Sequence, residues 1–146
     1  MELSIIFLPL IASIISGFFG KYIGDRNSEL ITSILVSISA FLSIFVLYQV
    51  IFNEYEENIV IATWINSGSL NVNWSMLIDP LSAVMLVVVT SVSSLVHIYS
   101  IGYMSHDPHK PRFMAYLSLF TFAMLMLVTS DNFIQLFFGW EGVGLC

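Results

Sequence analysis

Glu141 is a reactive side chain in a strongly apolar setting near the C-terminal end of the chain. The stretch NFIQLFFGWEGVGLC, residues 132–146, contains this one carboxylate and three glycines. If a helix begins near Asp131, Glu141 lies roughly 15 Å along its axis, about half the thickness of a bilayer's hydrocarbon core. An ionised acid at that depth costs at least about 2.5–3.5 kcal/mol, so such residues normally face a bundle interior or a water-filled cavity.

The chemistry suited to such a carboxylate is reversible protonation. Burial favours the neutral form and a nearby cation favours the ionised form, so a cation that comes and goes would make Glu141 a proton switch. The alternative is a protonated structural acid, hydrogen-bonded between helices. Gly142 and Gly144 each cost a helix about 1 kcal/mol relative to alanine, which indicates either flexibility around a polar site or close helix packing.

His97 is the second titratable candidate. It is the one titratable group except for tyrosines in the apolar stretch 80–104, and it lies 18 residues after Asp79, near the far end of that stretch. Beside Tyr99 and Tyr103, it is more typical of an interfacial or packed histidine, and a role in proton entry is the alternative. The sequence shows no Cys/His spacing suited to zinc or haem.

The composition is that of an integral membrane protein. Of 146 residues, 58% are hydrophobic and 10% are charged, whereas soluble domains have about 25% charged residues. Only four residues are Lys or Arg, so a nucleic-acid-binding surface is not expected. The single cysteine, Cys146, excludes an internal disulfide.

Four apolar stretches are long enough to cross a membrane, and a fifth begins at residue 132. A crossing helix needs roughly 20 residues, within a range of about 17–25. The predicted spans are 3–20, 30–52, 80–104 and 113–130. The fold class is therefore all-α integral membrane, with four complete transmembrane helices and the start of a fifth.

The segment between the second and third spans differs in kind. Val72, Trp74 and Met76 alternate with polar residues, which is the period of a half-buried strand. With a turn at 66–69, this pattern predicts a small β-hairpin over 58–76, with Trp64 and Trp74 near the lipid headgroups. The hairpin needs another surface to cover its apolar face.

The connections predict both helix starts and orientation. Asp79 should cap the third span, with Pro80 at the first helical position, and Asp131 should cap the fifth. All four basic residues fall in the first and third connections, whereas the hairpin connection carries Glu54, Glu56 and Glu57. By the positive-inside rule, the N-terminus and hairpin face outward and the basic loops face the cytoplasm or matrix.

Two stretches carry a family resemblance that covers nearly the whole chain. IDPLSAVMLVVVTSVSSLVHIYSIGYM (78–104) and DNFIQLFFGWEGVGLC (131–146) resemble the largest antiporter-like subunit of respiratory complex I, called subunit L or chain 5. Cation/proton antiporters share the glutamate but usually not its flanks. The resemblance implies that Glu141 is the key glutamate of the fifth helix in a membrane-arm proton relay, paired with a lysine on a later helix.

The resemblance also implies the setting. Residues 1–104 would form helices 1–3 with the hairpin, and 105–146 would begin the antiporter-like, proton-translocating repeat. The chain would bind no cofactor; FMN, iron–sulfur clusters, NADH and a quinone would belong to other subunits. Its partners would be other membrane-arm subunits and the lipid of a bacterial or mitochondrial inner membrane. Because the last run reaches only about 22 Å, we expect an N-terminal piece of a longer protein.

Two other functions remain open on the sequence alone. A secondary cation/proton antiporter would use the same carboxylate without redox coupling, exchanging H⁺ for Na⁺ or K⁺. A purely structural or assembly subunit would leave Glu141 inert. Transport driven by NADH rather than by a pH gradient would distinguish the first function from the antiporter.

Overall fold

The structure, a computed structural model, describes residues 1–53, 56–68 and 70–146. Four of its five helices are long and apolar enough to cross a membrane, as the sequence predicts. The fifth helix is shorter, and a two-stranded antiparallel hairpin separates the second helix from the third. The elements in chain order are α1 Glu2–Ile23, α2 Asp25–Asn53, β1 Glu57–Ser67, β2 Leu70–Ile78, α3 Pro80–Tyr103, α4 Lys110–Val128 and α5 Phe133–Leu145.

Helix α3 begins with the predicted cap. The Asp79 carboxylate accepts a hydrogen bond from the Ser82 backbone N–H at 2.6 Å, and the Ser82 hydroxyl accepts one from the Asp79 N–H at 2.9 Å. Together they form a reciprocal capping box, and Pro80 occupies the first helical position. This arrangement confirms Asp79 as the residue at which the third span starts.

The predicted cap of α5 is wrong by one residue. Asn132, not Asp131, accepts the hydrogen bond from the Gln135 backbone N–H, at 2.9 Å. The Asp131 carboxylate instead accepts hydrogen bonds from the Asn58 side chain at 2.9 Å and the Ser75 hydroxyl at 3.1 Å. The Asp131 carboxylate is therefore hydrogen-bonded to the hairpin, and the side chain of the next residue, Asn132, caps the helix.

Serine and threonine hydroxyls join the membrane-spanning helices. Ser43 of α2 bonds Thr90 of α3 at 2.8 Å, and Ser37 of α2 bonds Ser94 of α3 at the same distance. Ser39 donates to the Ile5 carbonyl of α1 at 2.6 Å. In lipid, interhelical hydrogen bonds and close packing of small residues take the place of the hydrophobic effect between helices, so these side chains hold the bundle together.

The hairpin spans 57–78, slightly longer than the predicted 58–76. Its register pairs Asn58 with Leu77 and shifts at two bulges, and Gly68 takes φ 60° in the turn. Glu54 and Ser69, which the sequence places in the acidic connection and in the turn, lie outside the described residues.

The surface that covers the hairpin is the corner between α4 and α5. The Leu77 N–H donates to the Thr129 carbonyl at 2.9 Å, and Met76 forms a β-bridge with Ser130. Met76 and Val72 are buried, as their alternation predicts.

The α1–α2 and α3–α4 connections lie at one end of the bundle. The Ser16 hydroxyl of α1 bonds Ser28 of α2 at 2.5 Å and donates to the carbonyl of Pro111, in the first turn of α4, at 2.7 Å. Gly20 packs so closely on Pro111 that an added Cβ would come within 2.6 Å of it. All four Lys and Arg residues lie at or near these connections; we call this the basic end, and the hairpin lies at the other.

Candidate functional site

Glu141 lies on α5, eight residues after the helix begins at Phe133, or roughly 12 Å along its axis. This depth is a little less than the 15 Å expected, because the helix begins two residues after Asp131. The neighbouring Gly142 packs against Ala123, five residues before the end of α4. The carboxylate therefore lies at the level of the apolar helix α4 rather than beyond its end.

Two glycines turn one face of α5 toward α4. A Cβ added to Gly139 would lie 2.8 Å from the Leu127 backbone nitrogen, and one added to Gly142 would lie 3.1 Å from the Ala123 Cβ. Nothing described lies within 4 Å of a Cβ added to Gly144. The close-packing explanation therefore holds for Gly142, and Gly139 approaches α4 more closely still.

Glu141 points away from that packed face. At about 100° per residue, it lies about 200° around the helix from Gly139. Its side chain is exposed, and within the described residues it has no hydrogen bond or ion pair. The four helices before it thus do not enclose Glu141, and they do not supply the lysine that the resemblance implies.

The start of α5 is fixed by a buried amide that the sequence analysis missed. Gln135 is fully buried; its Oε1 accepts from the Ser75 N–H at 3.0 Å and its Nε2 donates to the Ser75 carbonyl at 2.7 Å. One helical turn later, Phe138 packs edge-on against Trp64 and Trp74, with ring centroids 5.9 and 5.0 Å away. The hairpin thereby sets the position of the helix that carries Glu141.

His97 is fully buried between α3 and α4. Its Nδ1 lies 2.7 Å from the Ser93 carbonyl oxygen, and its Nε2 lies 3.0 Å from the Ser118 hydroxyl. Because a carbonyl only accepts, Nδ1 carries a hydrogen, and in the neutral form of the ring Nε2 would accept from the Ser118 hydroxyl. His97 is therefore a packed, hydrogen-bonded histidine rather than an interfacial one.

The histidine belongs to a polar cluster that the sequence analysis did not find. The Ser93 hydroxyl lies 2.5 Å from the Thr121 hydroxyl, which also donates to the Leu117 carbonyl at 2.9 Å. Ser93 precedes His97 by one helical turn, and Ser118 precedes Thr121 by three residues, so both pairs share a helix face. The spacing of these polar residues within apolar helices is the feature of the sequence from which the cluster could have been predicted. The cluster does not include Glu141.

No grouping of three or more His, Cys, Asp or Glu side chains suited to a metal ion occurs among the described residues. Glu141 and His97 carry a carboxyl group and an imidazole, which are side chains of the kinds that take up and release protons.

Comparison with known proteins shows which family the chain resembles. The sequence model described as NADH-Ubiquinone oxidoreductase (complex I), chain 5 N-terminus, matches residues 64–114. A protein of Phytophthora infestans named NADH-ubiquinone oxidoreductase chain 5 is 56% identical over 99% of this chain, and its namesake in Arabidopsis thaliana is 55% identical over 99%. The chain is similar over nearly its whole length to part of the complex I chain 5 proteins.

The similarity to chain 5 covers this chain fully and its relatives in part. The chain spans 22% of the length of each of those two proteins. A Neurospora crassa protein named probable intron-encoded endonuclease 4 is also 51% identical over all 146 residues, which are 27% of its length. The segment matched by the family model contains His97 and ends before Glu141.

Proposed function

We propose that the chain is part of a membrane-arm subunit of a proton-pumping NADH:quinone oxidoreductase. The observation that carries the proposal is the similarity to chain 5 over the whole chain, including the segment with Glu141. The membrane-spanning helices supply the scaffold. The endonuclease name belongs to a protein nearly four times longer, and four basic residues give this chain no nucleic-acid footprint.

In the proposed function, Glu141 receives and releases a proton within the membrane. A carboxylate in hydrocarbon is stable when it is protonated or paired with a cation. Glu141 faces away from the packed surface of α5, so later parts of the subunit can bring a lysine to it. Withdrawal of that lysine would favour protonation of Glu141, and its return would favour release.

His97 has a secondary place in this proposal. Its imidazole already joins the Ser93 carbonyl of α3 to the Ser118 hydroxyl of α4 and can exchange a proton through either ring nitrogen. We propose that residues 105–146 begin the proton-translocating repeat. The N-terminus and hairpin would face the outer side of a bacterial or mitochondrial inner membrane.

The redox chemistry lies elsewhere in the proposed complex. NADH oxidation and quinone reduction would take place in other subunits, which would carry FMN and the iron–sulfur clusters. This chain would contact neighbouring membrane-arm subunits and lipid, and the species that it handles directly would be protons.

The test is Glu141→Gln in the full-length subunit of the assembled enzyme. Glutamine keeps the size of the side chain and cannot be ionised, so we expect proton pumping and coupled NADH oxidation to fall. Glu56→Gln, which changes an exposed acid outside the helices, is the matched control and should leave both rates unchanged.

Full pumping by a normally assembled Glu141→Gln enzyme would contradict the role of Glu141. Transport by the wild-type protein that is driven by a pH gradient and indifferent to NADH would instead favour a secondary cation/proton antiporter.

A further inference from the structure

Glu29 is a buried acid whose charge is incompletely satisfied. It lies in the second turn of α2, at the basic end, and is 4% exposed. Its Oε1 makes no hydrogen bond within the described residues. The Lys110 ammonium lies 3.9 Å from this oxygen, whereas a direct charge-assisted hydrogen bond would be about 2.7–2.9 Å long. A contact wider than about 3.5 Å raises the question of a bridging water.

The Ser33 hydroxyl, one helical turn after Glu29, also lacks a hydrogen-bond partner among the described residues. Its oxygen atom is buried. Residues four apart share a helix face with Cβ atoms about 5–6 Å apart, so one water or two can bridge Ser33 and Glu29. These two oxygens are the only buried side-chain polar atoms without a partner in the described part of the chain. Because they lie one helical turn apart, a single small polar ligand could bond both oxygens.

Water is the ligand that fits these groups. A buried water needs 2–4 polar partners, and this site offers a carboxylate oxygen, a hydroxyl and an ammonium. The carboxylate accepts, the ammonium donates, and the hydroxyl can do either. Such a water would also relieve the cost of leaving Glu29 Oε1 and Ser33 Oγ buried without hydrogen bonds.

We propose that Glu29, Ser33 and Lys110 form a buried water site at the basic end, and that protons enter the bundle there. The second half of this inference rests on the proposed function. A hydronium at the surface donates its proton to the Glu29 carboxylate and leaves as water. The neutral carboxylic acid then donates that proton to the water beside Ser33, and Glu29 regains its negative charge next to Lys110.

Polar groups continue inward from the site. Ser37, the next turn of α2, donates to the Ser33 carbonyl at 2.7 Å and lies 2.8 Å from the Ser94 hydroxyl of α3. The adjacent residue of α3, Ser93, belongs to the His97 cluster. The proton received at Glu29 thus has hydroxyl groups ahead of it on both α2 and α3.

The first part of the test is structural. A structure of the assembled enzyme that resolves ordered water should show density within hydrogen-bond distance of Glu29 Oε1 and Ser33 Oγ. Ser33→Ala should remove that water or weaken its density. An empty site in the wild-type enzyme, or a direct Glu29–Lys110 hydrogen bond that leaves no room for water, would overturn the proposal.

The second part measures pumping in the full-length subunit. Glu29→Gln should lose most of the protons translocated per NADH, while NADH oxidation with an artificial electron acceptor stays normal. Glu29→Asp should restore part of the loss. Ser33→Ala should give a smaller loss, and it keeps the test decisive if Glu29→Gln fails to assemble. Ser39→Ala is the matched control, because its hydroxyl is on the same helix and already bonded to the Ile5 carbonyl.

The outcomes separate this inference from the proposed function. If Glu141→Gln stops pumping and the Glu29 and Ser33 variants pump normally, the water site is not a proton entrance and the proposed function stands. If all three variants pump normally, both fall. If Ser39→Ala loses as much pumping as Ser33→Ala, the loss reflects helix packing and the entrance role is overturned.

Discussion

At the scale of single residues, Asp79 determines where α3 starts. Hydrogen bonds from the Ser82 hydroxyl and from the Ser82 backbone N–H hold the pKa of Asp79 below its usual value. A carboxyl group with a lowered pKa in the folded state stabilises the fold at pH values above its unfolded pKa of about 3.9. That contribution is lost as the pH falls through the folded pKa, so the cap weakens once the pH drops below the unfolded pKa.

We predict that Asp79→Ala lowers the free energy of unfolding by about 0.5–2 kcal/mol, the usual cost of removing an N-cap. Asp79→Asn should retain most of the stability at neutral pH, because its amide oxygen can still accept from Ser82. Since the amide does not titrate, the free energy that the cap contributes should no longer decrease below about pH 4. Thermal unfolding of the full-length protein in detergent, measured across pH, checks both variants. Equal stability of Asp79→Ala and the wild type would contradict the cap.

The residue scale also shows where sequence reasoning was sufficient. Asp79-Pro80 is a local signal, and the structure confirms it because an N-cap depends on residues three positions apart. Asp131 shows the opposite: its partners Asn58 and Ser75 are more than 50 positions away. A local pattern could not distinguish it from Asn132 as the cap. Glu29 was missed because its burial and its distance from Lys110 arise only when α2 and α4 pack.

At the scale of elements, the contact between α4 and α5 depends on the absence of a side chain at Gly139. An alanine there would place its Cβ 2.8 Å from the Leu127 nitrogen and 2.9 Å from its Cα. The neighbour is backbone and cannot rotate away, so the helices must separate. Gly144, on the same helix, meets nothing described within 4 Å, and it provides a control with the same chemical change.

We predict that Gly139→Ala destabilises the subunit by about 1–3 kcal/mol through overpacking, more than the gain of about 0.5–1 kcal/mol in helix propensity. Gly144→Ala should be neutral or stabilising. The yield and melting temperature of the assembled enzyme would measure both. A Gly139→Ala enzyme as stable as Gly144→Ala would show that α5 does not pack this closely on α4.

The elements themselves were predictable, and their contacts were less so. Length and apolar composition were enough to predict the four spans. The alternation of apolar and polar residues was enough to predict the strand that includes Val72 and Met76. The surface that covers the hairpin could not be predicted, because the buried amide of Gln135 bonds a strand residue 60 positions earlier. A glutamine in an apolar run indicates that its amide has a hydrogen-bond partner, but the sequence does not show which residue that partner is.

At the scale of the whole molecule, charge and contacts together define two ends. Ser16, Ser28 and Pro111 join the first and third connections, and all four basic residues lie near them. The hairpin and the α4–α5 corner form the opposite end. Glu141 shows the limit of prediction at this scale: its position along α5 follows from residue counting, but no lysine pairs with it within the described residues.

The orientation of the two ends gives the last prediction. Because the positive-inside rule places Lys- and Arg-rich connections on the cytoplasmic or matrix side, His106 should face that side and Asn66, in the hairpin, should face the other. Each is exposed and can be replaced by cysteine in a cysteine-free full-length subunit. A membrane-impermeant maleimide should label Asn66→Cys from the outside of sealed membranes and His106→Cys only in inverted vesicles. Permeabilised membranes, in which both variants should react, are the control. Labelling of His106→Cys from the outside would show that the orientation is the opposite of the predicted one. The basic end with Glu29 would then be a proton exit rather than an entrance.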